Sequence, residues 1–234
     1  MENNKKTRVN KFLSEIGYCS RREADKLIEQ NKLKVNGVVP QMGTKVSEND
    51  EITVDGIQIN KPTPKQKIYI AFNKPRGVVC TTDTKREKNN IIDYINFPER
   101  IFPIGRLDKL SEGLILLTNE GSLVNKILRS RNNKEKEYLV EVNKNITPDF
   151  IRQMSNGIPV LNTVTKNCKL VKVSSTIFKI ILTQGLNRQI RRMCEFLGYK
   201  VISLKRIRIM NIKLDVEIGK WRHLSSHELN SINN

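Results

Sequence analysis

The sequence predicts an α+β protein in two parts, and three observations carry that expectation. Apolar residues recur at helical spacing up to about Asn31 and at a period of two after it. Residues 61–67, with Pro62 and Pro64 among lysines and a glutamine, have linker composition. From residue 68 onward strand-like and helix-like runs interleave, which fits a mixed, largely antiparallel sheet. The expected division is a small ααβ unit over 1–60, a linker over 61–67 and a larger domain over 68–234.

In chain order, residues 8–17 place Val9, Phe12, Leu13 and Ile16 on one helical face. Ser20 to Glu23 reads as a capping box opening a second helix, with Ala24, Leu27 and Ile28 inward. Leu33 and Val35 run into an Asn36-Gly37 turn, and Ile52 and Val54 into Asp55-Gly56, both hairpin signals. In the second part strands are expected at 68–72, 114–118, 138–142, 168–173, 177–182 and 201–212. Helices are expected at 122–129, at 148–156 with Thr147 as cap and Pro148 at the first position, and at 188–197 with Asn187 as cap. The last of these has the core stripe Ile190, Met193, Cys194 and Leu197.

Lys and Arg number 42 against 24 acidic residues, a formal net charge of +18. An excess of that size points to a polyanionic partner, because counterion release rewards a basic surface. Residues 1–60 hold 10 basic and 9 acidic side chains, so almost all of the excess lies in the second part. Within it, Arg188, Arg191, Arg192, Lys200, Lys205, Arg206 and Arg208 stand against the single Glu195, which places much of the polyanion surface beside that helix and the following strand. The four cysteines show no C-x-x-C spacing, so neither a zinc site nor a redox pair is expected, and Cys194 reads as a small core residue. His223 and His227 lack further ligands nearby in sequence, so no metal is expected. No apolar run of signal-peptide or membrane-spanning length occurs, and the expected location is the cytoplasm.

In the first part Arg8, Lys11, Arg21, Arg22 and Lys26 crowd the two helices, and Arg21 and Arg22 fall in a first turn, where free backbone N–H groups also attract phosphate. Arg8-Val-Asn-Lys-Phe-Leu, Cys19-Ser-Arg-Arg-Glu-Ala-Asp and Val35-Asn-Gly together resemble the S4 RNA-binding module, which docks a helix pair on structured RNA. That resemblance alone implies RNA binding and no reaction.

Phe102-Pro-Ile-Gly-Arg-Leu-Asp-Lys-Leu-Ser-Glu-Gly-Leu-Ile-Leu-Leu-Thr-Asn carries the sharpest signal. Read by itself, Gly105-Arg106-Leu107-Asp108 is a loop presenting a carboxylate and a guanidinium before a buried strand, and a lone loop Asp is usually a cap or turn residue. The whole string closely resembles the G-R-L-D motif of pseudouridine synthases, in the branch that includes the RsuA, RluB, RluE and RluF enzymes. Asn73-Lys-Pro-Arg-Gly-Val-Val-Cys-Thr-Thr, Lys134-Glu-Lys-Glu-Tyr-Leu-Val and Gln184-Gly-Leu-Asn-Arg-Gln-Ile-Arg-Arg-Met-Cys resemble three further motifs of that branch. The likeness spans roughly residues 7 to 229 and is nearest the RluF group.

The resemblance implies a catalytic domain in which Asp108 is the covalent catalyst, Tyr138 stacks on the uracil and Arg191 is the cation beside Asp108. Uridine must lose its N1–C1′ bond, keep the uracil, rotate it and bond C5 to C1′. No redox change occurs, so no cofactor is expected. Attack of the carboxylate at C1′ has precedent in glycoside chemistry, and addition at C6 of the base stays open. The target base must leave its stack, and Arg106 is implied to fill the gap. Arg188 and Arg192, with Arg206 and Arg208, are expected to contact RNA phosphates. The implied substrate is one uridine of 23S ribosomal RNA, with a tyrosine tRNA anticodon uridine as a second, and a monomer is expected. Three rivals are a non-catalytic S4-type RNA-binding or ribosome-assembly factor, an S4-bearing methyltransferase and a DNA-binding factor. The methyltransferase lacks a G-x-G-x-x-G-like segment, and the DNA-binding factor lacks helix-turn-helix spacing.

Overall fold

The capping residues read at Ser20 and Glu23 bind each other's backbone. Ser20 Oγ accepts from the Glu23 N–H at 3.2 Å, and Glu23 Oε2 accepts from the Ser20 N–H at 2.7 Å. That reciprocal cap starts α2 (Arg21–Glu29), which follows α1 (Val9–Glu15). The computed structural model describes residues 6–47, 49–59, 66–128 and 134–233. It divides the chain into two compact units, Met1–Lys67 and Ile68–Asn234. Residues 61–65 of the expected linker lie outside the described residues.

In the first unit Val9 and Leu13 of α1 pack with Ala24 and Ile28 of α2, all buried, and Asn10 Nδ2 donates to Asp25 Oδ1 at 2.8 Å between the helices. Strands β2 (Leu33–Val35), β4 (Ile52–Val54) and β5 (Ile57–Gln58) form an antiparallel sheet. The β4–β5 turn holds Asp55 at φ 50° and Gly56 at φ 80°, the left-handed pair that a two-residue hairpin needs. A short ladder joins β1 (Thr7–Arg8) to β3 (Lys45–Val46), neither of which the periodicity marked. Leu33, Val46, Ile52 and Val54 complete the core.

The second unit contains β6 (Tyr69–Lys74), α3 (Ile91–Ile95), β7 (Phe102–Ile104), β8 (Glu112–Thr118), α4 (Gly121–Leu128), β9 (Lys136–Val142) and α5 (Pro148–Ser155). These are followed by β10 (Pro159–Val160), β11 (Thr163–Val164), β12 (Lys169–Lys172), β13 (Ile177–Leu182), α6 (Gln189–Phe196), β14 (Val201–Ile209), β15 (Ile212–Lys213), β16 (Trp221–His223) and α7 (Ser226–Asn233). Among the described residues one sheet has nine strands, in the order β12-β13-β9-β14-β8-β6-β16, with β7 beside β8 and β15 beside β14. Every pairing in it is antiparallel except β14 with β8, so the sheet is mixed and largely antiparallel.

Alternation along the central strands explains the continuous apolar run 114–117. Ile115 and Leu117 enter one hydrophobic cluster with Phe72, Phe178 and Met193, while Leu114 and Leu116 enter a second with Ala71, Ile127 and Ile209. Both faces of β8 are therefore covered, so no polar position marks its period. The parallel pairing of β8 with β14 is close enough that a Cβ on Gly113 would stand 2.3 Å from the Arg206 carbonyl oxygen, at a φ of +101°. Only glycine fits there.

Two expectations are corrected. Residues 201–212 are not one strand: Met210 takes φ 53° and the chain reverses into β15. Asn187 does not cap α6; Arg188, itself left-handed at φ 50°, is the residue before the helix and makes no side-chain cap bond. The edge strand β16, α3 and α7 carried no strand or helix assignment from the sequence. Each is short or polar, and the tertiary sheet places it.

Candidate active site

Gly105 to Asp108 leave β7 as a loop whose first residue has φ +80°, a conformation that favours glycine. Backbone bonds fix its far end: Ser111 N donates to Asp108 O at 3.0 Å, and Gly77 N donates to Lys109 O at 2.7 Å. Leu107 is buried, and its N–H reaches Cys80 Sγ at 3.4 Å. With Leu107 anchored inward, Arg106 is exposed and Asp108 half-buried. Both line a cavity of about 770 Å³ in the second unit, together with Tyr138, Arg191 and Arg206.

Strands β9 and β14 build one wall. Tyr138 is 9% exposed and pairs in register with Arg206, whose guanidinium carbon stands 6.0 Å from the Tyr138 ring centroid. A register shift between Arg206 and Arg208 sets Arg206 against Tyr138 but Arg208 against Glu137. Such a bulge re-aims side chains beside a site. Residues two apart on a regular strand would share a face; here they do not. Arg206 is 3% exposed and its Nε donates to Leu114 O at 2.6 Å. Arg208 is tied to Glu137 at 2.7 Å and Glu135 at 3.0 Å. These are two of the positions expected to bind RNA. One guanidinium lies inside the cavity wall and the other is neutralised by carboxylates.

Helix α6 brings Arg191 inward on the stripe of Ile190, Met193 and Cys194. Arg191 is 6% exposed; its Nη2 donates to Leu110 O at 3.1 Å and Ser111 Oγ at 3.3 Å, and Nη1 donates to Val201 O at 3.5 Å. Its Nε is buried without a partner. The guanidinium is thus held over the segment that carries Asp108, and no direct ion pair joins the two among the described residues. Burial and then Arg188 lower the Arg191 pKa, while the Asp108 charge raises it. Arg188 is exposed at the cavity and Arg192 is bonded to Asn187. Cys194 is a core residue whose thiol burial pushes up to about 12.

Two lysines went unmarked at the sequence level. Lys74 is 0% exposed, and its Nζ donates to Pro75 O at 2.8 Å and Val78 O at 2.7 Å. Burial lowers its pKa, against the pull of Cys80, Glu112 and Asp108. Lys136 is half-buried in the cavity wall two residues before Tyr138, and burial, aided by Arg206, brings it down to about 8. The motif positions alone signalled these residues, since nothing in a lysine's neighbours in sequence announces burial. In the first unit Arg8, Lys11, Arg21, Arg22 and Lys26 are all exposed, with Lys11 paired to Glu15 at 3.3 Å. Among the described residues no group of three His, Cys, Asp or Glu side chains could hold a metal, and no helix is long and apolar enough to cross a membrane.

Both parts of the chain match known families. Residues 68–196 match the family described as RNA pseudouridylate synthase, and residues 7–52 match the S4 domain. The chain is 54% identical to the dual-specificity RNA pseudouridine synthase RluF of Salmonella typhi, over 95% of this chain and 77% of that protein. It is 36% identical to the ribosomal large subunit pseudouridine synthase B of Bacillus subtilis, over 95% of this chain and 93% of that one. A solved structure described as a pseudouridylate synthase superposes with a TM-score of 0.71 at 28% identity, covering 96% of this chain and 99% of the other.

Proposed function

Because the chain belongs to the RNA pseudouridylate synthase family, we propose that its cavity isomerises uridine to pseudouridine with Asp108 as the covalent catalyst. The observation that carries this is that Asp108 supplies the single carboxylate among the described residues lining the cavity, set among Arg106, Arg188, Arg191 and Arg206. A carboxylate there attacks C1′ as the glycosidic bond breaks, and the freed uracil turns within the cavity before C5 bonds to C1′ and displaces the carboxylate. Arg191, anchored over Leu110 and Ser111, holds a positive charge beside the segment that carries the carboxylate. Tyr138 offers its ring to the uracil from β9. Arg106, exposed beside the catalytic loop, fills the stack left by the flipped base.

The substrate proposed is one uridine of 23S ribosomal RNA. The Bacillus subtilis relative is named for the ribosomal large subunit, and the Salmonella typhi relative is named as dual-specificity, which supports a second RNA substrate, proposed to be a tyrosine tRNA anticodon uridine. The exposed cations of the S4 unit and of the cavity rim hold the folded RNA, and the work is cytoplasmic. The test is tritium release from RNA labelled at C5 of uridine by the purified chain. The chain is expected to release tritium and Asp108→Asn to release none; equal release by both would refute Asp108 as catalyst.

A further inference from the structure

We propose that Lys136 is a catalytic residue for the second half of the reaction, taking the proton from C5 of the rotated base and returning it to N1. The proposal rests on the synthase reading above. Once C5 has bonded to C1′, that carbon carries both the sugar and its hydrogen, and the ring holds an N1–C6 double bond. Removing the proton lets the C5–H pair rebuild the C5–C6 double bond, and the N1–C6 π pair returns to N1. N1 then takes the proton back. The amine begins and ends neutral, and no other reactant is needed.

The geometry selects Lys136 for this. It lies on the same face of β9 as Tyr138, two residues before it, and lines the cavity. Its Nζ donates to Lys134 O at 3.3 Å. The carboxylates on either side of it, Glu135 and Glu137, are both engaged by Arg208, which the bulge in β14 turns away from Arg206. Lys136 is therefore a half-buried amine without an ion-pair partner among the described residues, in a wall otherwise cationic. The other titratable and charged groups among the described residues of that cavity are Arg206 from β14, Arg106, Asp108 and the exposed Lys109 from the catalytic loop, Arg188 and Arg191 from the α6 end, Cys80 and Tyr138; β13 brings Leu182 opposite Lys136. Guanidiniums hold their protons too firmly to act as bases. The Cys80 thiol is buried with its pKa raised. A lysine brought to about 8 is an amine near neutrality in an appreciable fraction of molecules, which is what general base catalysis requires.

The test is single-turnover pseudouridine formation at saturating RNA, with uridine or 5-deuterouridine at the target. Lys136→Gln and Lys136→Arg are both expected to slow the reaction by about 10²-fold or more. Both are also expected to show a larger deuterium effect than the wild type and unchanged RNA affinity. Methylamine is expected to restore part of the rate of Lys136→Ala, which shows that the variant is folded. If Lys136→Arg keeps the wild-type rate and isotope effect, positive charge alone suffices and the proposal falls. It falls equally if the variants lose only RNA affinity. If the wild type forms no pseudouridine, the synthase reading fails instead.

Discussion

Arg106 and Asp108 are separated by one buried leucine, and that leucine decides what each can do. Leu107 is anchored inward, so the guanidinium is exposed at the cavity while the carboxylate stays half-buried. Arg106→Ala is expected to weaken turnover on folded RNA far more than on an unstructured strand. Leaving a duplex or loop stack costs a few kcal/mol that a single strand does not require. Kinetics on the two RNAs check this, and equal losses would refute the stack-filling role. Asp108 was legible in the sequence because its loop is a contiguous string, and a chain segment of fixed length keeps its members together wherever it folds. Arg191 was named through the resemblance of its motif, and the fold shows it buried on α6. Lys74 and Lys136 were not legible. Burial of Lys74 depends on two carbonyl acceptors, and that of Lys136 on the strands around it.

At the scale of elements, β14 shows where sequence periodicity stops being sufficient. Arg206 and Arg208 sit two apart in an apparently continuous strand, which groups them on one face. The shift in pairing with β9 separates them, and pairing is a property of two strands that neither encodes alone. The C-terminal elements make a comparable point with charges. Arg222 on β16 binds Glu228 on α7 at 2.7 Å and Asp215 at 2.8 Å, and Glu228 also accepts from the Ser225 N–H at 2.8 Å. The Arg222 guanidinium holds the Glu228 carboxyl below its ordinary 4.5. A carboxyl lowered in the folded state adds stability that is full above 4.5 and is lost as pH falls through the lower folded value. The expected outcome is a fall in melting temperature on acidification below 4.5 that Glu228→Gln flattens. Thermal unfolding against pH checks it, and parallel curves for the two proteins would contradict the assignment.

For the molecule as a whole the decisive quantity is charge. Of the +18 excess, +14 falls on residues 68–234, the unit that holds the cavity, and +3 on residues 61–67, while residues 1–60 are nearly neutral but show their cations on two helices. Phosphate contacts from both units are the expectation, of a kind that salt weakens. RNA affinity is expected to fall about 10³-fold or more between about 50 and 200 mM salt. Arg21→Gln with Arg22→Gln is expected to reduce the slope of log affinity against log salt by about 2. Titrations at several salt concentrations check this, and an unchanged slope would remove these two side chains from the RNA contact. Charge and motif order made the two-part organisation and the polyanionic partner legible. The sheet order, with its parallel pairing of β14 with β8, was not, because only the folded chain brings those strands together.

The most direct measurement is a map of pseudouridines by carbodiimide labelling and primer extension, made on total RNA from cells with the wild-type protein, without it, or with Asp108→Asn. One primer-extension stop in 23S ribosomal RNA is expected to vanish in the deletion and to stay absent with Asp108→Asn. If no stop in ribosomal or transfer RNA changes, the chain does not modify uridine in those cells. If Asp108→Asn restores the stop, the carboxylate is not the catalyst.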